Sequence, residues 1–157
     1  INGIRYDETL NNLAKFGSSK NVDMLVKDIY GVNTNIYGLN GDLPASSMGK
    51  LINIKTKDDL NKFEDKDVAR GLLDMISMNI AQIAYLVALH HKCDKILFAG
   101  NFLRQNDSAQ ATITFGLNYR SQQKMTAYFL KHEGYFGSVG AMLEHKKNFG
   151  KYLKPNL

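Results

Sequence analysis

The chain is poor in the residues that hold proteins together through covalent bridges or metals. Its single cysteine, Cys93, excludes an internal disulfide and any cysteine-based zinc cluster, and it fits a reducing compartment. No histidine stands at a catalytic spacing from Cys93, which leaves an inert thiol. The histidines offer no metal-ligand spacing either. His90 and His91 are adjacent, so on a helix they point roughly 100° apart, and His132-Glu133 has no second carboxylate beside it. No structural metal is expected. Ser46-Ser47 lack a G-x-S-x-G setting, which argues against a serine nucleophile.

Long apolar runs and basic stripes are missing too. No stretch approaches the roughly 20 apolar residues of a membrane span, and no signal-peptide pattern opens the chain. A soluble, cytoplasmic protein without membrane contact is expected. The net charge of +5 comes from 20 Lys+Arg against 15 Asp+Glu. These lysines are scattered, with short clusters such as Lys146-Lys147, and read as solvated faces. A nucleic-acid partner would want cations interleaved with stacking aromatics, and none is expected. There is no internal repeat. The 157 residues, 44% apolar, suffice for one globular domain with a real core. The opening at Ile1, without methionine, suggests a fragment.

What is present is ordered by helical and strand-like periodicity. Asp7 to Phe16 reads as a short helix ended by Gly17. Lys20 to Tyr30 reads as another, with Val22, Leu25, Val26 and Ile29 on one stripe. Residues 31–50 hold four glycines, three asparagines and a proline, an irregular length that is functional when ordered and the first candidate site region. Residues 65–91 form the strongest predicted helix, with Val68, Leu72, Met75/Ile76, Ile80, Ile83 and Val87 as its core-facing stripe and Leu73, Ala84 and Leu86 flanking it, enough for burial on much of its circumference. Asn79 lies on that apolar side, where a backbone partner or a ligand could satisfy its amide.

Asp94 to Gly100 reads as a strand, Asp107 or Ser108 as the cap of a helix through Tyr119, and Lys124 to His132 as a second strand-like run. Strand, helix, strand implies a parallel pair. Two strands are few for a buried parallel sheet. A last helix opens within "GYFGSVGAMLEHKKNFG" and closes near Gly150. At its junction Gly134, Gly137 and Gly140 recur every three residues, a pattern that serves either close backbone approach to a phosphate or nucleobase, or close helix packing. The first strand, "KILFAGN", ends on Gly100-Asn101. A turn explains that, and so does a ligand lying over the strand's carboxyl end.

Taken together, "NVDMLVKDIYG" (21–31), "YGLNGDLPASSMGKL" (37–51), "MNIAQIAYLVAL" (78–89), "ILFAGNFLR" (96–104) and "FLKHEGYFGSVGAMLE" (129–144) resemble the C-terminal half of eukaryotic-type pantothenate kinases. The resemblance runs in order along nearly the whole chain, and "GNFLR" and "HEGYFGSVGA" are its specific parts. It implies an α/β fold: the ribonuclease-H-like C-terminal lobe of an actin-like ATPase, helix-rich, with a short parallel sheet lacking its upstream strands. It further implies ATP with magnesium, pantothenate as substrate for the first step of coenzyme A synthesis, acyl-CoA as a feedback ligand, and a homodimer. Gly100, Asn101, Phe102 and Gly137 would meet ATP. Tyr30, Leu39, Pro44, Ala45 and Arg120 would line the pantothenate or acyl-CoA pocket.

The family's D-x-G-G phosphate turn, second glycine-rich phosphate turn and glutamate base are not among these residues, so the chain alone is expected to be inactive. Two positions depart from the family: Thr34 stands where a tyrosine is common, and Arg120 where a tryptophan covers the vitamin in the partner's site. A non-catalytic or regulatory subunit of the same fold is the alternative that these departures raise. Another small-molecule kinase, such as an N-acetylsugar kinase, is disfavoured by the spelling of the two specific motifs.

Overall fold

The structure is a computed structural model, and it describes residues 6–31, 38 and 40–152. Its organising element is the long helix that the apolar spacing predicts, α4 (Asp65–His91); the others are α1 (Tyr6–Phe16), β1 (Met24–Leu25), α2 (Val26–Tyr30), β2 (Pro44–Ser46), α3 (Lys57–Leu60), β3 (Lys95–Phe98), α5 (Asp107–Ser121), β4 (Thr126–Phe129) and α6 (Phe136–Tyr152). Asp65 and Asp67 in the first turn of α4 and His90 and His91 in its last complement the helix dipole, and Lys92 ends it in a left-handed conformation.

The face that α4 buries matches the expected one only in part: Leu73 is buried and Ile80 and Ala84 pack against the core, as expected, but small residues hold the closest contacts. Ala69, Leu73, Ser77, Ala81 and Ala88 are buried, whereas Ile76, Ile83 and Val87 are exposed. Backbones approach closely only where side chains are small. A Cβ added to Gly116 of α5 would come within 2.9 Å of the Ala81 Cβ, and one on Gly17, just after α1, would fall on the Lys66 carbonyl. The branched stripe flanks these crossings instead of filling them. The expectation of no membrane-length apolar stretch also needs correcting: by length and composition alone α4 is long and apolar enough to cross a bilayer. Here it is the central helix, packed against α1 and α5.

Strands β3 and β4 pair in parallel, Lys95 opposite Thr126 and Phe98 opposite Phe129, with α5 as the expected crossover. Alternation turns Ile96, Phe98, Ala127 and Phe129 toward the core of Leu73, Ala81 and Ile113, and the Phe98 and Phe129 rings stack 5.3 Å apart. Leu97 and Tyr128 fall on the outer face and are exposed. Helix α5 is capped by Asn106 rather than by Asp107 or Ser108. The buried Asn106 Oδ1 accepts the Ala109 N–H at 3.1 Å, and its Nδ2 donates to Asn11 Oδ1 of α1 at 3.0 Å and to the Phe102 carbonyl at 3.2 Å.

The predicted helix over residues 20–30 is the main correction. Its apolar residues Val22, Leu25 and Val26 are buried, but the chain there is a 3-10 turn, then β1, then a helix only from Val26 to Tyr30. Short carboxylates hold the chain in this shape. Asp67 accepts Ser18 N–H and Asn21 Nδ2 at 2.7 Å each, and Asp28 accepts the Leu25 N–H at 2.8 Å. This frees β1 to pair antiparallel with β2, which brings part of the 31–50 segment onto the flank of α4. The last helix runs from Phe136 to Tyr152, longer than expected, after a 3-10 turn at Glu133–Tyr135.

Candidate functional site

Two cavities lie near the segments that the sequence singles out, although, among the described residues, only Pro44 and Arg120 of the expected site residues line them. The first lies beyond the carboxyl ends of β3 and β4, as parallel pairs place their ligand sites. Its volume is about 490 Å³, and Arg104, Asp107, Gln110, Lys131, His132 and Gly134 are among its walls. The loop after β3 forms one side. There Gly100 has φ +132°, a conformation that side-chain-bearing residues rarely adopt, and no atom lies within 4 Å of where its Cβ would stand. The turn reading of the strand's end holds for Gly100, and the space above it is open.

Asn101 and Phe102 continue this turn, exposed at the surface, and Asn101's carbonyl accepts the Arg104 N–H at 3.3 Å. Gly137 stands in the first turn of α6 with open space at its missing side chain, as does Gly140. Neither packs a neighbouring helix among the described residues. Gly134 does receive a neighbour, the Arg104 guanidinium. None of Gly100, Asn101, Phe102 and Gly137 is itself among the cavity's lining residues.

The second cavity, about 340 Å³, lies between α4, α5 and residues 43–47. Pro44 and Arg120 line it together with Asp23, Asp74, Met78 and Tyr119, so two of the five residues expected around a substrate pocket meet there. Ala45 sits on β2 beside Pro44, and Tyr30 ends α2, exposed; neither is a lining residue. Leu39 and Thr34 lie outside the described residues. The Arg120 guanidinium runs along the helix crossing, donating to Gln82 Oε1 at 3.1 Å and to the Gly116 carbonyl at 3.4 Å. Asn79 also lines this cavity, its amide satisfied by the Met75 carbonyl at 2.9 Å. The segment bearing Pro44 is anchored by Asp42, whose carboxyl is held down to about 2 by hydrogen bonds from Lys20 and Lys27.

Asp23 and Asp74 are the residues that sequence reasoning missed here. Asp23 is buried, and its Oδ1 accepts the Met48 N–H at 2.8 Å. Burial pushes its carboxyl above the usual range; Asp74's charge adds to the rise, while the Met48 N–H and Lys50 oppose it. Asp74 itself is tied to Arg70 Nε at 2.9 Å and to Thr112 Oγ1 at 3.0 Å. The one sequence signal was Asp23's place within an apolar run, where an acid needs a reason. Among the described residues no group of three or more His, Cys, Asp or Glu could hold a metal ion.

These two cavities belong to a chain whose relatives are enzymes of one vitamin's chemistry. Over 142 residues it is 42% identical to a pantothenate kinase of Schizosaccharomyces pombe, an alignment covering 89% of this chain and 34% of the relative. It is 44% identical over 140 residues to a 4'-phosphopantetheine phosphatase of Mus musculus, and 39% identical over 144 residues to pantothenate kinase 2 of Oryza sativa, covering 16% of each. The chain thus spans a third or less of the length of these relatives. Residues 2–144 match the Fumble family, and the chain belongs to that family, the pantothenate kinases.

Proposed function

We propose that the chain is the C-terminal lobe, of actin-like ATPase type, of an ATP-dependent pantothenate kinase that makes 4'-phosphopantothenate. One observation carries this reading. The two motifs most specific to the family, "GNFLR" and "HEGYFG", leave neighbouring parallel strands and close around one cavity lined by Arg104, Lys131 and His132. That donor set suits a phosphate-bearing ligand. In this reading ATP's adenosine lies over Gly100, Asn101 and Phe102, with Gly137 across the junction. Pantothenate, or an acyl-CoA acting as feedback ligand, enters the second cavity beside Pro44 and Arg120, with Tyr30, Leu39 and Ala45 as the further residues assigned to it by resemblance, and a second copy of the chain completes the pocket in a cytoplasmic homodimer.

Magnesium in this reading needs no dedicated cluster of protein ligands, because it is held largely by phosphates and water. It would arrive on the phosphates of ATP, and no role for this chain runs through it. The part played by these residues is positioning. In-line phosphoryl transfer rests on alignment and electrostatic stabilisation, and the 157 residues contain no D-x-G-G turn. The full-length protein should phosphorylate radiolabelled pantothenate with ATP, while the 157-residue chain alone should not; turnover by the purified chain, with host kinase excluded, would refute the division of labour.

A second reading is favoured by Arg120 and by the relative named as a phosphatase. In it the chain belongs to a non-catalytic or regulatory subunit of the same fold. Full-length protein that binds ATP and pairs with an active kinase, yet phosphorylates no pantothenate, would establish this alternative.

A further inference from the structure

The contact between Arg104 and Gly134 joins the two loops around the first cavity. Arg104 leaves the "GNFLR" turn after β3, and Gly134 lies in the 3-10 turn after β4. A Cβ on Gly134 would come within 2.7 Å of the Arg104 Nη2, 3.7 Å of its Cζ and 3.9 Å of its Nη1, so the guanidinium lies over the bare Cα. The backbone of Gly134 is one that any residue adopts, unlike that of Gly100. What Gly134 provides is room. Lys131 and His132 line the same cavity, and Asp107 is the carboxylate that shares it.

We propose that Gly134 is a positioning residue, whose missing side chain seats the Arg104 guanidinium between the two loops and presents it to an anionic, phosphate-bearing group of the ligand. This deepens the nucleotide reading given above and rests on it for the ligand's identity. An arginine fork is suited to phosphate oxygens, provided that its plane is held in place. A methyl group at position 134 would push the fork aside at little cost to stability, because the displaced atoms are the far end of a flexible side chain.

The test is a double-mutant cycle in the full-length protein, read by calorimetry with ATP, adenosine and inorganic phosphate as separate probes. Gly134→Ala should weaken ATP binding about tenfold, the loss of one charge-assisted hydrogen bond, and leave adenosine binding unchanged. Arg104→Ala should weaken it at least as much, and Gly134→Ala added to Arg104→Ala should cost less than about twofold more. Competition by inorganic phosphate would show that the bare anion suffices; its absence would show that the nucleotide is required, and the cycle decides the proposal in both cases.

Equal effects of Gly134→Ala with and without Arg104 would overturn the proposal, because the glycine would then act alone. An Arg104→Ala protein that binds ATP like wild type would overturn it too, even if Gly134→Ala did not fold. Should the wild type bind no ATP, the nucleotide reading fails, and the Arg104 Nε–Hε resonance still decides the seat. Its shift in Gly134→Ala would support the seating, and an unmoved resonance would refute it.

Discussion

Helix α4 buries carboxylates and hydroxyls on two sides, and the two sides treat them differently. Toward α1, Asp67 has both oxygens engaged, by Ser18 and Asn21, and nearby Asn106 uses its whole amide to hold α1, the turn after β3 and the start of α5 together. Burial alone would raise the Asp67 carboxyl, yet the two hydrogen bonds and Lys66 bring it below the usual range. Toward the second cavity Asp23 is buried with its carboxyl raised, and farther along α4 the Ser77 hydroxyl is buried with no hydrogen-bond partner among the described residues. A fold keeps polar groups of the first kind because they organise it. Groups of the second kind oppose folding, and that Asp23 lines a cavity points to binding rather than to architecture.

The largest effect that would break this contrast is at Asp67. Asp67→Ala should destabilise the chain by about 3 kcal/mol, since it removes a buried carboxylate together with its two charge-assisted hydrogen bonds, from Ser18 and Asn21. Denaturant melts of variant and wild type would measure this, and a cost under about 1 kcal/mol would place the carboxylate among the dispensable groups. Its pH dependence has a definite sign. A depressed carboxyl contributes stability in full above the unfolded value near 4 and loses it as pH falls through the lower folded value, so the gap between Asp67→Ala and wild type should narrow in acid.

Next in size, Asn106→Leu should cost about 2 kcal/mol, combining a lost cap with orphaned partners on α1 and the turn after β3. Hydrogen exchange should then speed up at Ala109 as well as in α1; acceleration confined to α5 would mean that the Asn11 contact is passive.

On the other side the expected effects are smaller and of opposite sign. Asp23→Asn keeps an acceptor for Met48 and removes a buried charge, so it should stabilise the chain by about 1 kcal/mol at neutral pH. Because the wild-type carboxyl is raised, its penalty is complete above the folded value and disappears as pH falls toward the unfolded one. The advantage of Asp23→Asn should therefore vanish in acid, and a gain that persists there would show that packing, not charge, is responsible. The smallest effect is at Ser77, where Ser77→Ala should leave stability unchanged or raise it by a few tenths of a kcal/mol. A loss above about 1 kcal/mol would reveal a partner for the hydroxyl.

The sequence made the strong elements readable and left their contacts obscure. The bounds of α4, the ends of α1 and the parallel pair followed from periodicity and glycine stops, because local preference and tertiary packing agree there. Residues 20–30 misled, because an apolar stripe records burial but not which backbone partners the chain will find; Asp23, Asp28 and Asp67 decided that from outside the pattern. The buried face of α4 misled in part, for a related reason. Periodicity weighs large side chains, while Ala69, Ser77 and Ala81 mark where another helix comes close. The positive φ of Gly100 was legible from a strand that stops on glycine, and family resemblance named Arg120 and Pro44, which line one cavity. Arg104 was spelled inside "GNFLR", but its meeting with Gly134 spans the α5 crossover and had no local signature.

The outward side of the β3–β4 pair has a consequence in colloidal terms. Leu97 and Tyr128 stand opposite each other on it, exposed, so two copies of the chain can stick through this face whenever they come near. What holds copies apart is mutual repulsion from a net charge of +5. That repulsion reaches about 30 Å at 0.01 M salt and about 8 Å at 0.15 M. The isolated chain is thus best dispersed in dilute buffer, with light scattering that climbs on addition of salt, and physiological ionic strength lies on the side where the sticky face prevails.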